Sequence, residues 1–128
     1  MILGMGTDIC RIERIAAAIA KPRFLERVYT AAERERILAA MGGRRAEIAA
    51  GLFAAKEAVA KALGTGFDGF FADAVAILPD GRGRPECVLT GGALERAKAL
   101  CGEGGFAVWV SISHEDGLAA ATAILEGL

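Results

Sequence analysis

Aromatic residues are few: one Trp, one Tyr and six Phe make up 6% of 128 residues, whereas alanine is abundant. The core must therefore be assembled from small side chains. No apolar run approaches the roughly 18 residues that cross a bilayer as a helix. The first residues carry no basic stretch and Asp8 interrupts the apolar segment, so no secretory leader is expected there. Cysteine is scarce and odd in number. Cys10, Cys87 and Cys101 have no metal-type spacing and read as reduced, packed thiols of a cytoplasmic protein. There is no internal repeat, low-complexity tract or linker, and the length suits a single domain over residues 1–128.

What is there describes a folded domain, with 54% apolar and 24% charged residues. So much apolar content in a small chain also suits burial in an oligomer interface. The net charge of −1 conceals an asymmetry. Residues 1–45 hold nine Lys/Arg against five Asp/Glu, and residues 46–128 hold six against eleven. A basic front end suits an acidic partner, or equally a solvated helix surface.

Hydrophobic spacing predicts an α+β chain: a helical insertion, including one long helix, followed by an antiparallel sheet. "MILGMGTDI" alternates as a strand, with Gly4, Gly6 and Asp8 sharing a face, and the glycines allow close approach of backbone or ligand. "CRIERIAAAIA" has helical spacing, with Arg11 and Arg14 on its polar side. Pro22 ends that helix or opens a short one. Thr30 to Glu33 form a capping box for a helix reaching about Met41. The longest helix is predicted from about Ala46 to Leu63, with Gly64 as its stop. Beyond it the chain reads as a hairpin over 72–89, a helix over about 92–100 capped by Thr90, and strands at 106–113 and 118–125 joined by "HEDG".

The long helix raises the chemical question. "GLFAAKEAVAKALGTG" (51–66) has apolar residues on several sides, yet Lys56, Glu57 and Lys61 interrupt it. Glu57 and Lys61 can form an exposed i,i+4 pair, worth only about 0.3–0.5 kcal/mol. Alternatively Glu57 joins Asp8, a second acid at the end of a glycine-bearing strand. Mg²⁺ sites commonly combine one or two carboxylates with waters and substrate phosphates, so two acids with nearby lysines suit a metal-bound polyphosphate. Gly64, Thr65 and Gly66 can serve as a helix stop or bring backbone to a phosphate.

Three segments, "GMGTDICRIERI" (4–15), "RFLERVYTAAE" (23–33) and "FAAKEAVAKALGTG" (53–66), resemble the holo-[acyl-carrier-protein] synthase family of 4′-phosphopantetheinyl transferases. "GRP" (83–85) and "VSISH" (110–114) follow in the family's order. The resemblance implies transfer of phosphopantetheine from coenzyme A to a serine of apo-acyl carrier protein, with release of 3′,5′-ADP, in fatty acid biosynthesis. It implies that Asp8 and Glu57 hold Mg²⁺ on the diphosphate and that Lys61 approaches the phosphates. His114 belongs to the coenzyme A site, and the Gly83–Pro85 turn lies near the nucleotide. The serine proton goes to Glu57, His114, Glu115 or a water on the ion. Arg11, Arg14, Arg23 and Arg27 would dock the acidic carrier protein. The small branch of the family forms homotrimers with active sites between subunits. The sequence departs from the pattern at Leu52, where the family usually has an arginine that helps hold the 3′-phosphate; Arg44 and Arg45 are the nearby substitutes. A non-catalytic module that binds acidic carriers, or another Mg²⁺-dependent phosphoryl enzyme, would use only one half of these features.

Overall fold

A computed structural model describes all residues 1–128. Strand β1 (Ile2–Arg11) is followed by helices α1 (Ile12–Ile19), α2 (Pro22–Val28), α3 (Ala31–Ala39) and α4 (Gly43–Ala62). Then come strands β2 (Val75–Pro79) and β3 (Pro85–Leu89), helix α5 (Gly91–Cys101), and strands β4 (Phe106–Glu115) and β5 (Leu118–Gly127). The fold is α+β, as expected, with all strand pairs antiparallel. The strands form two sheets, β1-β5-β4 and β2-β3, where the sequence suggested one. The outer edge of β2 is already occupied. The backbone N–H of Ile77 donates to Glu33 (2.8 Å), and the carbonyl of Val75 accepts from Lys56.

The main sheet turns one face to α4, and small residues set the spacing. Ala119, Ala121, Ala123 and Leu125 of β5 are buried beneath the helix, together with Gly6 of β1. A Cβ on Gly4 would collide with the Ala62 carbonyl, and one on Gly6 with the Ala58 carbonyl. The two glycines therefore let a strand backbone lie directly against a helix backbone. Twelve of the twenty residues of α4 are buried, which explains its nearly all-round apolar sequence.

Several boundaries differ from the sequence reading for identifiable reasons. β1 continues to Arg11, pairing Cys10 with Ala119 and Arg11 with Leu118, so Arg11 precedes α1 instead of lying on its polar side. α3 stops at Ala39 because the Arg45 guanidinium takes the Leu38 and Ala40 carbonyls, at 2.9 and 2.7 Å. His114 and Glu115 belong to β4, and the connection is only Asp116–Gly117. Their φ values of 50° and 77° fit the left-handed two-residue hairpin turn. Thr90 stands at the start of α5 without capping it; its hydroxyl and its amide both donate to the Ala74 carbonyl.

The Thr30–Glu33 capping box is present, yet Glu33 does more than cap. It is fully buried, and Oε1 receives the Lys56 ammonium at 2.7 Å. Lys56 also donates to the Ala72 carbonyl at 3.1 Å, so with Val75 all three ammonium protons have acceptors. This pair ties α3, α4 and the 72–77 segment together. Burial pushes the Lys56 pKa down, and the Glu33 carboxylate opposes that shift.

Candidate active site

The close contact of β1 with α4 builds the first half of the site. Asp8, two residues beyond Gly6 on the same face, comes against the solvent-facing stripe of α4 that carries Glu57 and Lys61. The Lys61 ammonium donates to Asp8 Oδ1 at 3.3 Å and to the Thr7 carbonyl at 2.9 Å. Lys61 is thus held by β1, and the exposed Glu57–Lys61 ion pair does not form. Glu57 makes no hydrogen bond or ion pair. Partial burial raises its carboxyl pKa, the Asp8 charge adds to that, and Lys61 opposes it. Lys56, on the other side of the helix, is sequestered with Glu33 and takes no part.

These donors fit a hard divalent cation. Glu57 lies near enough to Asp8 to feel its charge, Glu57 lacks a protein partner, and Asp8 has one oxygen without a bond. No third His, Cys, Asp or Glu joins them, so waters and substrate oxygens would have to complete the shell, the usual arrangement for Mg²⁺.

The second half lies across the sheet. Through β5, Asp8 aligns with Ala121 and Ile112, and Cys10 with Ala119 and His114. Asp8 and His114 therefore occupy opposite edges of the three-stranded sheet, about 10 Å apart in strand spacings. His114 Nε2 stands 3.8 Å from Glu47 Oε2, which also receives Arg44 Nη1 at 3.4 Å. These residues border a cleft of about 180 Å³ with Pro85, Leu52 and Arg36 in its walls. Leu52 is 1% exposed, so this wall position is an apolar surface. Of the two substitutes weighed for it, Arg44 lines the cleft, whereas Arg45 is engaged by the end of α3. Sequence reasoning missed Glu47 and Arg36; the helical spacing of Glu47 to Arg44 was the one available signal.

The Gly64–Gly66 turn closes α4. The Gly64 amide donates to the Lys61 carbonyl at 2.9 Å and the Gly66 amide to the Ala60 carbonyl at 3.2 Å. Thr65 donates its hydroxyl to Gly66 O. The structure thus favours the helix-stop role for these three residues.

Arg11, Arg14, Arg23 and Arg27 are all exposed and make no ion pair, leaving four unpartnered guanidinium groups along β1, α1 and α2. Ser111 and Ser113 face away from α4, and Glu115 is exposed at the strand end. The three cysteines are unpaired, and burial pushes the Cys87 thiol up to about 12. No helix is long and apolar enough to cross a membrane.

Comparison with known proteins gives consistent relatives. The chain is 49% identical over 131 residues to the holo-[acyl-carrier-protein] synthase of Solidesulfovibrio magneticus, covering 99% of this chain and 100% of the relative. It is 43% identical to the enzyme of that name from Clostridium perfringens, covering 99% and 96%. The crystal structure of a holo-(acyl-carrier-protein) synthase from Bacillus anthracis in complex with CoA (3′,5′-ADP) superposes with a TM-score of 0.83. The two are 33% identical, and the match covers 100% of this chain and 99% of that one. With a family profile matching residues 4–123 as well, the chain belongs to the 4′-phosphopantetheinyl transferase superfamily.

Proposed function

We propose that this chain, as a single domain over residues 1–128, transfers 4′-phosphopantetheine from coenzyme A to a serine of apo-acyl carrier protein, a step that supplies fatty acid biosynthesis. The observation that carries the reading is the Asp8–Lys61 contact, with Glu57 within reach of both charges, in a chain whose relatives are named holo-acyl-carrier-protein synthases. The serine oxygen forms a bond to the β-phosphorus. The bond from that phosphorus to the bridging oxygen breaks, and 3′,5′-ADP leaves with the electron pair.

Asp8 and Glu57 are the residues we assign to Mg²⁺, which when bound offsets negative charge on the diphosphate. Lys61, fixed by Asp8 and the Thr7 carbonyl, adds a positive charge beside the same group. Glu57, which has no protein hydrogen bond, would hold the ion through one carboxylate oxygen and leave the other to accept the serine proton. His114, Arg44 and Pro85 are assigned to the nucleotide part of coenzyme A, and the Gly64–Thr65–Gly66 turn, which follows Lys61 at the end of α4, is assigned to the same substrate. The four exposed arginines are assigned to the acidic carrier protein, where opposite charge speeds encounter and sets register.

The working form we propose is a homotrimer with shared sites. Two features support it. The outer face of the main sheet presents Met5, Ile9 and Trp109, 63%, 62% and 49% exposed, a large apolar surface for a sheet face without cover. The cleft beside His114 is also smaller than the ~300 Å³ at the low end of ligand pockets, so one chain holds only part of a coenzyme A. Mass spectrometry of apo-acyl carrier protein incubated with coenzyme A, Mg²⁺ and this protein tests the reading. Gain of one phosphopantetheine on a serine, abolished by chelator, is expected; an unmodified carrier contradicts it. Light scattering checks the trimer, and an active monomer removes it.

A further inference from the structure

Arg36 is a charged side chain that nothing in the fold employs. It lies in the last turn of α3, is half-buried, lines the cleft beside His114, and makes no hydrogen bond or ion pair. The other basic side chains near that cleft already have protein partners. Arg44 is bound to Glu47, His114 shares the same carboxylate, and Arg45 holds the Leu38 and Ala40 carbonyls.

The position of Arg36 is also fixed. Glu33, one turn earlier, is pinned by the Ile77 amide at 2.8 Å and by Lys56 at 2.7 Å, and Ile37 beside it is fully buried. The helix therefore has little freedom to slide, and the base of the Arg36 side chain stands about 5 Å along the axis from that anchor. Opposite, Leu52 contributes only hydrocarbon. A guanidinium without a counter-charge in a partly desolvated cleft calls for an anion with several acceptors, and a phosphomonoester matches its fork of donors.

We propose that Arg36 binds the ribose 3′-phosphate of coenzyme A and gives this chain its preference for coenzyme A over the dephospho form. The inference rests on the transferase reading above. In that reading the diphosphate belongs to the Asp8–Glu57–Lys61 end, and the 3′-phosphate is the one anionic group left for the cleft. Arg36 thus supplies from α3 the charge that the buried Leu52 position of α4 does not.

Calorimetric titration of the full chain with coenzyme A and with dephospho-coenzyme A, in Mg²⁺, tests this for wild type, Arg36→Ala and Arg36→Gln. The wild type is expected to bind coenzyme A about tenfold more tightly or better, the size of one charge-assisted hydrogen bond. Both variants, melting with the wild type, are expected to lose that preference while holding dephospho-coenzyme A within about twofold, because only one phosphate contact is removed. Retained preference in the variants, an equal loss for both ligands, or equal wild-type affinities overturns the assignment while the transferase activity stands. A wild type that binds neither ligand and modifies no carrier fails the transferase reading as well.

Discussion

Replacing Lys56 by Met removes an ammonium from a site where both partners are inaccessible to solvent. The methionine fills similar volume, so packing changes little, and the effect is electrostatic. Glu33 keeps its bonds from the Thr30 and Ile77 amides but loses its counter-charge, and the Ala72 and Val75 carbonyls lose their donor. Removing one partner of a buried pair typically destabilises by about 3–5 kcal/mol. That is a large part of the ~5–15 kcal/mol that holds a domain together. In a chain of this size each kcal/mol lowers Tm by roughly 3–5 °C, so a drop of about 10–25 °C is expected. The double variant Glu33→Gln/Lys56→Met removes both charges and should recover much of the loss. Thermal melts at one fixed protein concentration, needed because oligomerisation shifts Tm, read out the cycle. A Lys56→Met protein melting within 3 °C of wild type, or a double variant no better than the single, refutes the reasoning.

Gly6→Ala sets a Cβ against the Ala58 carbonyl and the Lys61 Cβ, so a loss of about 1–3 kcal/mol or more, seen in urea melts, should accompany weaker coenzyme A binding. Glu57→Gln separates stability from function. The Glu57 pKa is raised in the fold, so its ionised form disfavours folding once pH rises above the unfolded carboxylate range. The metal-free variant should therefore melt higher than metal-free wild type at pH 7, with the gain vanishing towards pH 4, while transfer activity falls sharply. Arg14→Glu should raise KM for the carrier protein far more than KM for coenzyme A; equal effects would remove Arg14 from the docking surface.

The sequence carried the parts that depend on local chemistry. Alternation along 1–9 revealed β1 and grouped Gly4, Gly6 and Asp8, and the structure gives the reason: the glycines admit the backbone of α4, and Asp8 follows them to the stripe that carries Glu57 and Lys61. The capping box at Thr30 was equally legible, because its bonds span three residues. The Lys56–Glu33 pair was not, because it joins residues 23 positions apart through a fold that must exist first. Its one trace is a charge embedded among alanines. The Glu57–Lys61 spacing was seen but misleading as a pair, since Lys61 turns to Asp8 on another element. The cleft was the least legible part. Arg36, Arg44, Glu47, Leu52 and His114 come from α3, α4 and β4, and no spacing along one element predicts such a meeting.

The central claim is that Asp8 and Glu57 grip one divalent cation together with the substrate diphosphate. Electron paramagnetic resonance of Mn²⁺ titrated into the protein with coenzyme A present reads this directly, without reference to turnover. Wild type should immobilise one ion per chain only when coenzyme A is added, and Asp8→Asn and Glu57→Gln should each abolish that signal. An ion held with undiminished affinity after either substitution would contradict the account.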